Sequence, residues 1–232
     1  MLPVFIIWLI LRYRKSNAKK ITELNPGRPK NPPSPVTRML LLTMLLFFGM
    51  KGHSQNKMLT YQIIRNGNKV GSLLFSETST GDLDYLKMES DVKTRFIFTF
   101  TAHASEEAVY NNGILLRSSI YRRLNDSEKA NKQHQATGNR QYLIRTGEMS
   151  EFTKTYPITY NMLSLYSKEP ENISKVYSDN FQTFLAIEKL ASHKYKITLP
   201  DGNYNYYYYK NGILNLVEVH HSFYSANIIL TN

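Results

Sequence analysis

The chain has 232 residues, no cysteine and 17 tyrosines, with 29 Lys and Arg against 18 Asp and Glu. Without cysteine there is no disulfide framework, no thiol nucleophile and no lipidation cysteine, so an apolar core has to carry the fold. The formal charge of +11 is misleading: residues 1–54 hold nine of the basic residues and Glu23 as their single acid, and the remaining 20 basic and 17 acidic residues are too evenly balanced for a nucleic-acid binder.

Residues 1–38 run MLPVFIIWLIL, then the basic RYRK, then the Pro-rich NPGRPKNPPSPVTR. A Pro-rich stretch of that kind builds no packed core. The segment is expected to be an over-long gene model or a disordered N-terminal extension, with translation starting near Val36 or Met39; a membrane-proximal anchor is the alternative. MLLLTMLLFFGM at 39–50 is uncharged, follows Arg38 and precedes Gly52-His53-Ser54, the pattern of a secretory signal peptide over 39–54. It falls well short of the roughly 20 apolar residues of a membrane span. The reading is an exported chain, periplasmic or secreted, with no stable membrane anchor after cleavage. Residues 55–232 then form a single antiparallel β domain, large enough to bury roughly 70% of its unfolded surface.

From Leu59 the chain reads as strands. LTYQIIR (59–65) passes through Asn66-Gly67 into VGSLLFSE (70–77), and Asn-Gly between apolar runs is the strongest short hairpin signal. Thr80-Gly81-Asp82 opens LDYLKMES, and RFIFTFTAH (95–103) is expected as one strand with Phe96, Phe98 and Phe100 on one face. Asn111-Asn112-Gly113 turns into ILLRSSIYRRL, and Thr137-Gly138-Asn139 into RQYLIRT. EKANKQHQ (128–135) is nearly all polar and is expected as a long turn or an edge strand. In PITYNMLSLYSKEPEN (157–172), Ile158, Met162, Leu165 and Tyr166 stand near helical spacing and Pro170 stops the run. One short helix is therefore expected near 158–168, plugging an open end of the sheet. The whole predicts an all-β antiparallel meander forming a strongly curved sheet or barrel-like domain.

The most unusual stretch is LPDGNYNYYYYKNGILNLVEVHHSF (199–223). Taking Asp201-Gly202 and Asn211-Gly212 as two-residue loops pairs Leu199 with Tyr204 and Tyr209 with Leu214. That register puts Tyr204, Tyr206 and Tyr208 with Tyr195, Ile197, Val217 and Val219 on one face. It puts Asn203, Asn205, Tyr207, Tyr209, Glu218 and His220 with Lys194 and Lys196 on the other. Tyr207 and Tyr209 are then expected over the lysines in cation-π contact. Pro-Asp-Gly also suits a type I turn with a bulge, which shifts this hairpin; the register that sorts the faces is preferred.

Glu169-Pro170, then KVYSDNFQTF (175–184), then YKITLPDGNYNYYYYKNGILNLVEV (195–219) resemble an uncharacterised family of exported bacterial β-rich proteins known as a domain of unknown function. The early hairpin Tyr61 to Gly71, with its Val70-Gly71, is similar too, and the resemblance spans most of 58–221. It implies a barrel-like or strongly curved sheet and no dependable activity. Where the family has Glu after Ser in the central motif, this chain has Ser178-Asp179, so no role is carried to that position.

Chemistry is sparse. There is no G-x-S-x-G elbow, H-E-x-x-H or phosphate-binding glycine loop. Glu218 and His220 can share a strand face, with Asn203 and Asn205 across from them, but two potential ligands fall short of a zinc site, so this is read as a polar patch. No catalytic residue, metal or cofactor is assigned. An outer-membrane barrel shares the alternation but is disfavoured, since short turns and long loops are not evident. The expected function is a non-enzymatic binding module, with an apolar or amphipathic ligand in a sheet cavity lined by Tyr204, Tyr206, Tyr208, Phe96, Phe98 and Phe100. The alternative is a packed scaffold that binds an envelope protein through an exposed Tyr/Asn face or an edge strand. An enzyme centred on Glu218 and His220 is weaker still.

Overall fold

The alternating runs become strands almost throughout the computed structural model, which describes residues 55–95, 99–138 and 140–231. The expected N-terminal extension and signal peptide lie outside these residues. In chain order the elements are β1 (Gln55–Arg65), β2 (Asn68–Thr80), β3 (Leu83–Arg95), β4 (Thr99–Asn111), β5 (Ile114–Leu124), β6 (Ser127–Gly138), β7 (Gln141–Thr146) and β8 (Met149–Lys154). There follow α1 (Ser164–Ser167), β9 (Lys175–Ser178), β10 (Thr183–Ala191), β11 (Lys194–Thr198), β12 (Tyr204–Lys210), β13 (Ile213–His221) and β14 (Tyr224–Leu230). All pair antiparallel with their sequence neighbours, except that β8 and β9 are the two edges and β1 lies between β2 and β14, giving a 14-stranded sheet of the described strands.

Local chemistry sets the turns. Asn66 and Gly67 both have positive φ (48° and 76°), as do Asn211 and Gly212 (53° and 73°), so each pair closes a two-residue loop between Arg65 and Asn68 or Lys210 and Ile213. This is the backbone twist that a right-handed strand pair needs, and Asn-Gly adopts it most cheaply. Side chains alternate accordingly: Leu59, Tyr61 and Ile63 of β1 are buried, with Leu73 and Phe75 of β2, Leu86 of β3, and Ala108 and Tyr110 of β4 on the same inner face.

Three expectations change. RFIFTFTAH is not one strand, because β3 ends at Arg95 and β4 starts at Thr99 opposite it; Phe96 and Phe98 lie outside the described residues. EKANKQHQ is neither turn nor edge but the body of β6, paired to β5 and β7. Its polarity is tolerated because most of β6 is solvent-exposed and His134 alone is buried in it. The helix exists but is a single turn, Ser164–Ser167, ahead of Pro170.

The segment around that turn closes the sheet. Leu115 N donates to Ile158 O at 2.7 Å, beyond the part of β5 that β6 covers, and Tyr177 N donates to Tyr160 O at 2.9 Å on β9. Ile158, Tyr160, Leu163, Leu165 and Tyr166 thereby enter the core at the end where the β4–β5 and β12–β13 turns lie. An irregular buried segment has backbone groups that need partners. Tyrosines supply them from the sheet: Tyr209 OH donates to Leu165 O at 2.8 Å, Tyr110 OH accepts from Asn161 N at 3.2 Å, and Tyr142 OH accepts from Ile158 N at 3.4 Å. A tyrosine offers a ring to the core and a hydroxyl to the plug, which explains why the interior is built from so many of them.

Candidate functional site

The β11–β12 loop fixes which tyrosines face inward. Thr198, not Leu199, pairs with Tyr204, and the loop closes with Gly202 N on Leu199 O at 3.0 Å and Asn203 N on Asp201 Oδ1 at 3.1 Å. The longer Pro-Asp-Gly turn thus wins over the two-residue loop, and a slip of one residue exchanges the faces of β12. Tyr207 and Tyr209 are buried, while Tyr204, Tyr206 and Tyr208 stand outside. There Lys194 Nζ lies 5.0 Å and 4.9 Å from the Tyr206 and Tyr208 ring centres, and Lys196 Nζ 5.1 Å from Tyr204. The cation-π ladder is real, with the other set of tyrosines in it.

The expected polar patch is divided by the same slip. Glu218 and His220 are on the outer face, where Tyr208 OH donates to Glu218 Oε2 at 2.7 Å and His220 stacks on Tyr204 at 4.7 Å. Asn203 and Asn205 point inward. Asn203 Oδ1 accepts from Ser222 N and Oγ at 2.9 and 3.0 Å, tying the β11–β12 loop to the β13–β14 turn, and Asn205 Nδ2 donates to Tyr207 OH at 3.2 Å. The irregularity between Tyr208 and Tyr209 on the β13 side places Leu214 inward, opposite the buried Tyr209.

Opposite the plug, the barrel end where the β1–β2 and β13–β14 turns lie is hollow. A cavity of about 710 Å³ opens there, lined by Ile63, Val92, Phe100, Leu124, Val219 and Ile228, with Arg65, Phe223 and Tyr224 toward its rim. Phe100 lies in this wall, whereas the register turns Tyr204, Tyr206 and Tyr208 outward, away from it. Phe223 at the mouth is 85% exposed.

Deeper along the same strands lies a second chamber of about 360 Å³, which shares Val219 and Tyr224 with the first. Its walls set polar groups among Met88, Ile120, Met162 and Phe181. Arg122 Nη2 donates to Glu106 Oε1 at 2.6 Å, and Asn205 and Tyr207 face them from β12. Burial pushes the Tyr207 hydroxyl up to about 12, so it is a neutral hydrogen-bonding group at any physiological pH.

Asp179, in the β9–β10 turn at the chamber wall, has both carboxylate oxygens held by side chains. Its Oδ1 accepts from Ser118 Oγ of β5 at 2.5 Å and its Oδ2 from Asn161 Nδ2 of the plug at 2.9 Å. Burial pushes its carboxyl up to about 6, against the pull of the Ser118 hydroxyl and with a push from the Glu106 carboxylate. His134 Nδ1 is 3.7 Å away, too far for a hydrogen bond, and both ring nitrogens are buried without a hydrogen-bond partner among the described residues. Burial, with the Lys132 ammonium, pushes that imidazole down to about 4, so the contact is one between a neutral ring and a carboxyl rather than an ion pair. Because the carboxylate stands between serine and histidine, the serine hydroxyl meets no base in the order a Ser-His-Asp relay requires.

None of Ser118, His134, Glu106 or Arg122 belongs to a sequence motif, and they converge only because β4, β5, β6 and the β9–β10 turn meet in space. Ser178-Asp179 did stand in a recognisable stretch, and buried hydrogen-bonding is what that position is used for here.

The fold and its two chambers define a plugged, antiparallel, barrel-like β domain. Residues 61–231 match the family described as a domain of unknown function, DUF6134, and the chain belongs to that family. No curated protein matches. Among solved structures, the crystal structure of a β-barrel-like protein of domain of unknown function DUF1849 from Brucella abortus is similar, with 6% identity over 78% of this chain and 98% of that one, at a TM-score of 0.49.

Proposed function

We propose that this chain is an exported, non-enzymatic binding module that holds an apolar or amphipathic small molecule in the open end of its barrel. The observation that carries the reading is the cavity of about 710 Å³ walled by Ile63, Val92, Phe100, Leu124, Val219 and Ile228. A volume in the range of about 300–1,000 Å³ is that of small-molecule sites, and an apolar hollow of this size inside a close-packed protein forfeits contacts that a ligand restores. The opposite end is occupied by the plug.

Filling the hollow tests this. Ala226 lines it on β14, and Ala226→Trp is expected to abolish binding of an environment-sensitive apolar dye while the β-sheet circular dichroism stays unchanged. In native mass spectrometry of chain purified without detergent, a bound small molecule is expected on the parent chain and absent from the variant. Dye binding that survives the tryptophan would overturn the assignment.

A second reading rests on β8. Among the described residues this edge strand has no partner beyond it, and it exposes Met149 and Phe152 (73% and 65%), the features of a site for an added strand from a protein partner.

A further inference from the structure

Resting on the ligand-binding reading, we infer that the ligand is an amphiphile with an uncharged, hydroxyl-bearing head, and that it enters head first: the head reaches the Glu106–Arg122–Asn205–Tyr207 chamber and the tail fills the apolar cavity behind it.

The first argument is continuity. The apolar cavity and the polar chamber share Val219 and Tyr224 as lining. Along β4 the wall changes from Phe100 and Ala102 in the cavity to Glu106 in the chamber. Ala102 to Glu106 is roughly 13 Å at about 3.3 Å per residue, a distance suited to one molecule with two ends. On β5 the same change runs from Leu124 to Arg122.

The second argument is charge. The chamber contains a cation, but Arg122 already bonds Glu106 at 2.6 Å. Asp179 has both oxygens engaged, by Ser118 and Asn161. A carboxylate or phosphate head would have to displace Glu106 from its guanidinium and then leave that glutamate buried and unpaired. An ammonium head would find no free carboxylate deep in the chamber to replace its water, since the remaining one, Asp201, stands solvent-exposed on the β11–β12 loop. Buried charge is tolerated only when paired, and here the pairing is already internal to the protein.

The third argument is hydrogen-bonding capacity. Tyr207 OH accepts from Asn205 Nδ2, which leaves its own proton to donate. Asn205 Oδ1 is left to accept, and Arg122 has further N–H groups beyond the one spent on Glu106. One donor and one acceptor across a small chamber are what a hydroxyl uses at once, and what a carboxylate cannot.

Head-group preference is read from displacement of an apolar fluorescent dye from the full-length chain. The competitors are dodecanoyl monoglyceride, dodecanoate and dodecyltrimethylammonium, each below its micellar concentration. The three share a tail, so the tail cancels. The monoglyceride is expected to bind about tenfold or more tighter than either charged probe, the margin of roughly one unpaired charge-assisted hydrogen bond. Tyr207→Phe is expected to bring the monoglyceride-to-dodecanoate ratio toward one. Equal affinity for all three probes would overturn the inference while leaving the cavity reading intact. Tighter binding of dodecanoate that is lost in Arg65→Gln would also overturn it, placing the head at the mouth. Tighter dodecyltrimethylammonium would do so as well. Failure of the dye and every probe to bind would remove the underlying reading, and this inference with it.

Discussion

At the scale of single residues, the Asp179–His134 contact is the one with a readable pH signature. Asp179 is held at about 6, above the unfolded value of 3.8, so its stabilising effect is complete below the unfolded value and is lost as pH rises to about 6. His134 is held at about 4, below its unfolded 6.5, so its effect is complete above 6.5 and is lost as pH falls to about 4. Between about 4 and 6 the two slopes oppose, each at most about 1.4 kcal/mol per pH unit. In the parent chain they should largely cancel. Urea denaturation across that window is expected to show His134→Gln losing stability as pH rises and Asp179→Asn gaining it. Variants with the same slope would mean the two groups do not titrate as their burial implies. Nothing in the sequence announced this pair, because Ser118, His134, Asn161 and Asp179 come from four separate stretches and each is an ordinary strand or loop residue by itself.

At the scale of elements, the tyrosine strand shows what periodicity can and cannot decide. The three Asn-Gly loops, at Asn66-Gly67, Asn112-Gly113 and Asn211-Gly212, were legible because a type I′ turn is local chemistry. The Pro-Asp-Gly loop was not, since two turn lengths fit it, and the choice between them by face sorting assumed that tyrosine belongs inside and asparagine outside. Tyrosine suits either face: Tyr207 and Tyr209 carry the core while Tyr204, Tyr206 and Tyr208 cover lysine stems, and Asn203 and Asn205 are bonded inside. The Val70-Gly71 pair was legible as a family feature, and its reason is steric. A Cβ on Gly71 would stand 2.2 Å from Asp91 O and 2.9 Å from Val92 Cα, both main-chain atoms of β3. Gly71→Ala is expected to cost about 2–3 kcal/mol by forcing β2 from β3. Gly67→Ala meets nothing within 4 Å and strains only its positive φ, so about 1 kcal/mol is expected there. Chemical denaturation of the two variants gives the comparison, and the reverse order would refute the close-approach account.

At the scale of the whole molecule, the meander, its curvature and a short helical plug were all legible, because strands paired to sequence neighbours leave their pattern in turn spacing. The places where the sheet departs from neighbour pairing were silent: the β5–plug–β9 closure and the pairing of β1 with β14. The latter joins Tyr61 to Leu230 across 169 residues. Bringing such distant segments together costs about 4.5 kcal/mol in chain entropy before any contact offsets it. Folding is therefore expected to end with this step, and pulse-labelled hydrogen exchange during refolding should protect Gln62 and Ile64 of β1 after the amides of the β3–β4 hairpin. Until β14 arrives, β1 keeps one row of unpaired backbone groups, and the cavity wall lacks Ala226 and Ile228. Because β1 waits for β14, the cavity wall cannot be completed until the chain has been made through Leu230.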